Sequence, residues 1–259
     1  MVCTRVLIAA LVCVILRAYG GHAQGLYVTA GVGYSFGAGT QSVGTSYTSG
    51  GPSESREGNY GSYGEGFKFG ASGGYMFSRN LGAELGLSYW LGQAFELTDA
   101  QQSYVSHDKK SGAGFVGAPS IVLSLDLDPV NPYARFGLVI GVLKMTEELR
   151  YQMSNETDEV TNEETGNLAF GYAGALGIVV PAGGGVGFFA EAVIHSVTYS
   201  PYQREMTRYV VNGVDRLPSV QNKVMEFRES YNSDEAHVVQ AVRRPFSSIG
   251  IVLGARFSL

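Results

Sequence analysis

The sequence predicts an all-β fold, an antiparallel up-and-down transmembrane β-barrel of about eight strands. Three observations predict it: an export leader ahead of a cysteine-free chain, a recurring two-residue alternation of apolar with small or polar residues, and connections that are short and long by turns.

The leader consists of Arg5 and an unbroken apolar stretch over residues 6–16. At about 11 residues this is signal-peptide length and too short to cross a bilayer as a helix. Gly21 and Ala23 supply the small side chains that a leader peptidase needs before a cut between Ala23 and Gln24. Residues 1–23 are therefore expected to be a signal peptide and residues 24–259 the barrel domain. Cys13 follows bulky Val12 inside the apolar stretch, which argues against a lipoprotein, and Cys3 and Cys13 both leave with the leader. The mature chain then has no disulfide framework, and its stability must come from backbone pairing and packing. Losing Arg5 and Arg17 takes the 18 basic residues to 16 against 23 acidic ones. A mildly acidic chain of this kind is a poor partner for nucleic acid. No mature segment approaches the ~20 apolar residues of a membrane helix, so any membrane span must be made of strands.

The strands follow from period-two alternation. Over residues 26–36, Leu26, Val28, Ala30, Val32, Tyr34 and Phe36 share one face, opposite Thr29, Gly31, Gly33 and Ser35, with Tyr27 the one bulky residue on that second face. The pattern returns over 67–77 and 81–91, where Phe67, Phe69, Ala71 and Tyr75 oppose Lys68, Gly70, Ser72 and Gly74, and Leu85 and Leu87 oppose Glu84 and Gly86. Further candidates are 115–125, 133–144, 168–180, 186–198 and 246–259, each near or above the ~9–11 residues of a tilted membrane strand.

The connections over 78–80, 128–132 and 182–185 are tight, whereas 37–66, 98–112, 151–167 and 199–245 are long and polar. Short inner turns with long outer loops place both mature termini on the periplasmic side, and closure leaves no exposed edge. The face expected to meet lipid carries no Asp, Glu, Lys or Arg between its aromatic ends. Lys144 is tolerable only at the outer rim, because an outward Lys or Arg at mid-membrane costs ~2–4 kcal/mol. Tyr34, Phe36, Phe67, Phe69, Tyr89, Phe115, Phe170 and Tyr172 form an expected outer aromatic belt, and Tyr75, Phe77, Phe136, Phe188 and Phe257 an inner one. Pro119 falls mid-strand, where it removes a ladder hydrogen bond, and predicts a bulge or kink.

The closing residues 252–259 resemble the carboxy-terminal assembly signal of outer-membrane barrels, with Gly254, Phe257 and Leu259 at the matching positions and Val252 where a polar residue is usual. With the leader and the loop asymmetry, the mature chain resembles the small barrels of the OmpA-transmembrane, OmpX and OmpW type. That resemblance implies insertion into the cell outer membrane by the barrel-assembly machinery, contact with outer-membrane lipid and a monomeric state. It implies no particular activity.

On the inward face, Glu84, Arg135, Glu191 and Arg256 lie at comparable depth near the periplasmic end. Two acids facing two bases in a narrow lumen are read as a salt-bridge plug or gate, or as a purely structural polar core. In the third loop, Glu147, Glu148, Glu156, Asp158, Glu159, Glu163 and Glu164 have no EF-hand spacing and are expected to repel one another and stay solvated. In the fourth, residues 209–214 read as a hairpin turning at Asn212 and Gly213, a protruding ribbon suited to binding a host or neighbouring protein by edge addition, or simply to stiffening the loop.

Catalysis is not expected. His195 and Ser196 are adjacent in a strand and point to opposite faces, and Glu191 lies roughly 13 Å from His195 along the strand. His107 and His237 are loop residues beside Asp108 and Glu235. No metal-ligand, phosphate-loop or nucleotide motif is present, so neither cofactor nor metal is expected. The expected role is structural and interactive, adhesin-like through the outer loops. A narrow passive channel for small or hydrophobic solutes is the second reading, and a soluble periplasmic ligand-binding barrel the third.

Overall fold

The computed structural model describes residues 25–38, 42–49, 54–101, 104–230 and 237–259. The expected signal peptide and the cut before Gln24 lie outside the described residues, as does Glu235. Eight strands form the barrel: Gly25–Gly37, Gly66–Met76, Leu81–Gly92, Tyr104–Ser124, Asn131–Met153, Ala169–Gly183, Val186–Tyr199 and Ser248–Ser258. Each pairs antiparallel with its chain neighbour, and the eighth closes on the first, from Tyr27 opposite Ser258 to Gly37 opposite Ser248. The only helix among the described residues is a three-residue 3-10 turn, Leu217–Ser219.

Alternation along each strand sends the apolar set outward. Leu26, Val28, Val32, Phe69, Leu85, Leu87, Ile121, Leu138, Leu176, Ile194, Ile251 and Leu253 are all exposed on the outer wall, while Tyr27, Ser72, Glu84, Val122 and Glu191 are buried inside. In water such an exterior would be a liability; against lipid it is the required surface. This orientation excludes the soluble barrel, which needs the bulky face inward. The outer aromatic belt is knit edge to face, Tyr34 with Phe36 and Phe67, and Tyr89 lies 4.9 Å from Phe115. Phe136, of the expected inner belt, stacks on Tyr172, of the expected outer one, at 6.3 Å. The inner belt is represented by Tyr75 against Phe77.

The inner turns are tight for local reasons. The Ser78 hydroxyl accepts from the amides of Asn80 and Leu81, and the Asn131 side-chain oxygen accepts from the Asp126 amide. Three consecutive glycines, Gly183, Gly184 and Gly185, take positive φ where L side chains would be strained. The prediction of a bulge at Pro119 is corrected. Gly117 faces Ile140 and Ser120 faces Gly137, so the register is unchanged across the gap and no residue is inserted. Pairing skips Ala118 and Pro119 on that side while Leu85 keeps its place opposite Pro119 on the other. The proline, having no amide proton, opens the ladder locally without bending its count.

The outer connections depart most from expectation, because they are sheet rather than solvated loop. The fourth and fifth strands run on together beyond the rim, from Ser124 opposite Tyr133 to Tyr104 opposite Met153. Phe95–Ala100 pairs with the outer part of the fourth strand, and Glu156–Thr165 with the outer part of the fifth. Gln203–Val211 then adds to Glu156–Thr165, and Val224–Arg228 and Val238–Gln240 follow. The hairpin of Ser42–Ser49 with Glu54–Tyr60 joins through Thr48 opposite Ala100. Together these strands make a collar that continues the barrel wall outward.

Asn212 and Gly213 do form the expected turn, both at positive φ, with Val211 opposite Val214. The returning arm is only Val214–Asp215, however, and Gln203–Val211 already has neighbours on both sides, so this strand offers no long free edge. The eighth strand begins at Ser248 instead of Phe246, which turns inward to another task.

Candidate functional site: the braced lumen and its outer collar

The lumen is braced at two depths. At the lower one Arg135 sits between the two acids, pairing with Glu84 and, at 2.7 Å, with Glu191. Each carboxylate also receives a tyrosine hydroxyl, Tyr27 on Glu84 at 2.8 Å and Tyr133 on Glu191 at 2.6 Å. Three of the four predicted charges thus meet, and the rings of Tyr27 and Tyr133 pack beside them with Met76 and Val122. Arg256 reaches none of the carboxylates. Its guanidinium lies 3.7 Å from the centre of the Tyr27 ring at the inner mouth and joins the cluster through that cation–π contact. A carboxylate–guanidinium–carboxylate bridge with all its oxygens engaged is the arrangement in which buried charges hold together, since an unmatched one costs several kcal/mol.

The upper brace was missed in the sequence. Lys68, only 6% exposed, donates to Ser248 at 2.6 Å, approaches His195 Nδ1 at 3.1 Å and lies 4.0 Å from the Trp90 ring centre. Trp90 meets His195 edge on at 4.8 Å and donates its indole N–H to Ser88. Strand parity alone places Lys68, His195 and Ser248 on the inward face. Their assembly comes from barrel closure, which lays the first, second, seventh and eighth strands around one arc. His195 faces the lumen and Ser196 is exposed on the opposite wall, as predicted. Between the braces lies a cavity of about 120 Å3 bordered by Thr29, Ser72, Ser88 and the two clusters.

Above the upper brace the lumen is capped by aromatic packing. Phe246 lies 5.9 Å from Tyr63 and 6.0 Å from Tyr199, and Phe95 meets Tyr63 edge on at 5.5 Å. Backbone bonds hold the cap, with the Tyr63 amide donating to the Pro245 carbonyl and the Phe246 amide to the Val197 carbonyl. Gly112 makes room for it: a Cβ there would come within 2.7 Å of the Phe246 ring.

Higher still, the collar interior holds a second charge network. Lys110 pairs with Asp108 at 2.8 Å and Glu147 at 3.1 Å; Glu164 takes Arg204 at 2.7 Å and Arg244 at 2.6 Å. The expectation that the acids of loop three stay solvated is therefore corrected for Glu147 and Glu164, both buried. Basic residues from other outer segments neutralise them, and no reading of the acidic segment alone supplies those partners. Burial works to raise the Glu147 carboxyl, but Arg204 and Lys110 outweigh it and hold the group below the usual carboxylate range. Burial wins at Asp108, whose carboxyl is raised despite Lys110. On the outside, Lys144 pairs with Glu163 at the rim and Arg208 with Glu159. His107 lies beside Thr98, at 3.3 Å, and belongs to this solvated outer face. Among the described residues no group of three or more His, Cys, Asp or Glu is placed to hold a metal ion.

A closed eight-strand wall, apolar outside and charged within, defines an integral barrel of the bacterial outer membrane. The sequence places it further: it matches the outer membrane protein beta-barrel domain family over residues 6–204, and the chain belongs to that family. Among solved structures, Ail, the attachment invasion locus protein of Yersinia pestis, is 11% identical over 91% of this chain and 97% of that one, at a TM-score of 0.31. No curated relative matches the sequence. The protein resides in the cell outer membrane.

Proposed function

We propose that this barrel works mainly outside the bilayer, with a structural and surface-interaction, adhesin-like role carried by the collar. The supporting observation is strand length. The fourth and fifth strands run 21 and 23 residues, about twice the ~9–11 that a membrane crossing needs. Their surplus is the spine on which the other outer strands assemble; Met153 and Val214 are exposed at the collar tips and Tyr60 and Tyr202 nearer the rim. A host or neighbouring surface protein is the partner class that such a rigid platform with scattered apolar contacts suits. The braced and capped lumen speaks against an open pore as the main activity. It also speaks against catalysis, since Ser248, the hydroxyl nearest Lys68 and His195, is fully buried beneath the cap.

Gly254, Phe257 and Leu259 serve as the signal to the barrel-assembly machinery, and the Phe257 and Leu259 side chains are exposed on the outer wall where such a reader can reach them. The protein then works as a lipid-embedded monomer. The test is display of the full chain on a non-adherent laboratory strain over an epithelial monolayer. The expected result is several-fold more retained cells than the vector control, lost when the tips at residues 152–157 and 210–216 are replaced by short glycine-containing turns while heat-modifiable mobility shows a folded barrel. Equal retention by vector, full chain and trimmed chain would overturn the reading.

A further inference from the structure

Lumen charges do not balance locally. Around the lower brace, Glu84 and Glu191 pair with Arg135, and Arg256 stands on the Tyr27 ring just below, so the count there is two acids and two bases although Arg256 touches neither acid. Lys68 is left over near the outer end. Among the described residues no carboxylate lies within 4 Å of its ammonium, whose contacts are the Ser248 hydroxyl, the His195 ring and the Trp90 face, all uncharged. A cation enclosed in protein with no counter-charge is strongly disfavoured, and a buried lysine in this position either acquires an anion or gives up its proton.

The surroundings are built to receive an anion. The ammonium can only donate, so His195 Nδ1 must accept from it, and the ring proton then sits on Nε2 as a further donor. Ser88 Oγ accepts from the Trp90 indole, which frees its own hydroxyl proton to point elsewhere. Lys68, His195, Ser88, Ser72 and Thr29 all border the cavity of about 120 Å3, space for several waters or for one small ion with part of its hydration. Both nearby carboxylates, which would repel an anion, are already held by Arg135 and a tyrosine.

We propose that this cavity is a binding site for a single monovalent anion of the halide class, held beside Lys68 with the His195 ring and the Ser88 hydroxyl as further donors. The ion completes the electrostatics of the lumen and occupies the space between the two braces. The proposal is independent of the collar's role.

The chain carries its own reporter, because Trp90 is its one tryptophan and it lines the site. The experiment refolds the full mature chain into detergent micelles in sodium fluoride, bromide or iodide at matched ionic strength and follows tryptophan emission. The expected result is quenching by bromide and iodide that saturates in the millimolar range and is reversed by chloride. Lys68→Met should abolish the saturable part, while Lys109→Met, on the solvated face of the collar, leaves it unchanged. Should Lys68→Met fail to give the heat-modifiable band of a folded barrel, Ser88→Ala serves instead and is expected to weaken the apparent affinity several-fold. Quenching that rises linearly with halide, ignores chloride and persists in the variants would overturn the site, as would no halide effect at all, which would mean that Lys68 is neutral.

Discussion

The membrane wall and the collar are built from the same strands yet obey opposite surface rules. The fifth strand shows both. Leu138, Ile140 and Val142 point outward into lipid, and two residues on, with the same parity, Lys144 points outward and pairs with Glu163. The inward parity changes as well, from Val139 and Leu143 near the cap to Glu147 in the collar network. Backbone geometry fixes which residues share a face along the whole strand. The solvent on that face fixes which chemistry is tolerated. In the wall, charges are confined to the inner face; in the collar, charges are admissible on both faces, and Glu147 and Glu164 on the inner one are matched by residues far away in the chain.

This difference can be broken experimentally. The largest effect is expected at the lower brace. Arg135→Ala leaves Glu84 and Glu191 enclosed without their shared cation, and should cost about 3 kcal/mol in urea unfolding from vesicles, the scale of a broken buried ion pair. It should also raise single-channel conductance if the brace acts as a gate; an unchanged conductance with lowered stability assigns it a purely structural role.

Next comes the outer wall itself. Leu87, 64% exposed, replaced by Arg should lower barrel stability by ~2–4 kcal/mol, as a cation facing the bilayer interior does. Met153, equally apolar and 52% exposed at a collar tip, replaced by Arg should stay within about 0.5 kcal/mol. Comparable losses at both positions in the same unfolding assay would mean that the collar tip is also lipid-facing.

The smallest global effect is expected in the collar interior. Glu164→Gln removes the carboxylate shared by Arg204 and Arg244, and should loosen the outer sheet without lowering the barrel's unfolding midpoint. Trypsin added to intact cells reads this directly. Cleavage after Arg208, Arg216 or Arg243 should speed up several-fold, while Arg79 and Arg256 at the inner end stay protected. Cuts at Arg79 in intact cells would reverse the topology.

Much of this was legible because a barrel writes its environment into alternate residues. The eight strands, the tight inner turns, the uncharged outer wall and the meeting of Glu84, Arg135 and Glu191 all follow from parity and depth counted from a turn. The Asn212-Gly213 turn was legible for a local reason, since that dipeptide favours the positive φ it adopts. Lys68 was within reach of the same reasoning, as a lone inward charge among Gly70, Ser72 and Gly74. Arg256 shows the limit: its face and depth were predictable, but whether it meets a carboxylate or a tyrosine ring depends on side-chain reach across the lumen.

The collar was illegible for a different cause. The acids from Glu147 to Glu164 read as solvated because their neutralising partners, Lys110, Arg204 and Arg244, lie 37 or more positions from Glu147, on segments with no membrane pattern of their own. Phe246 likewise reads as the start of the last strand until closure brings it against Tyr63 and Tyr199.

By itself, then, the sequence determined the barrel, its orientation and its residence, because lipid on one side and a narrow lumen on the other impose a rule on every second residue. Only the tertiary structure decided the collar, the aromatic cap and the isolated charge of Lys68, because each depends on which distant segments are brought together, and no local periodicity encodes that.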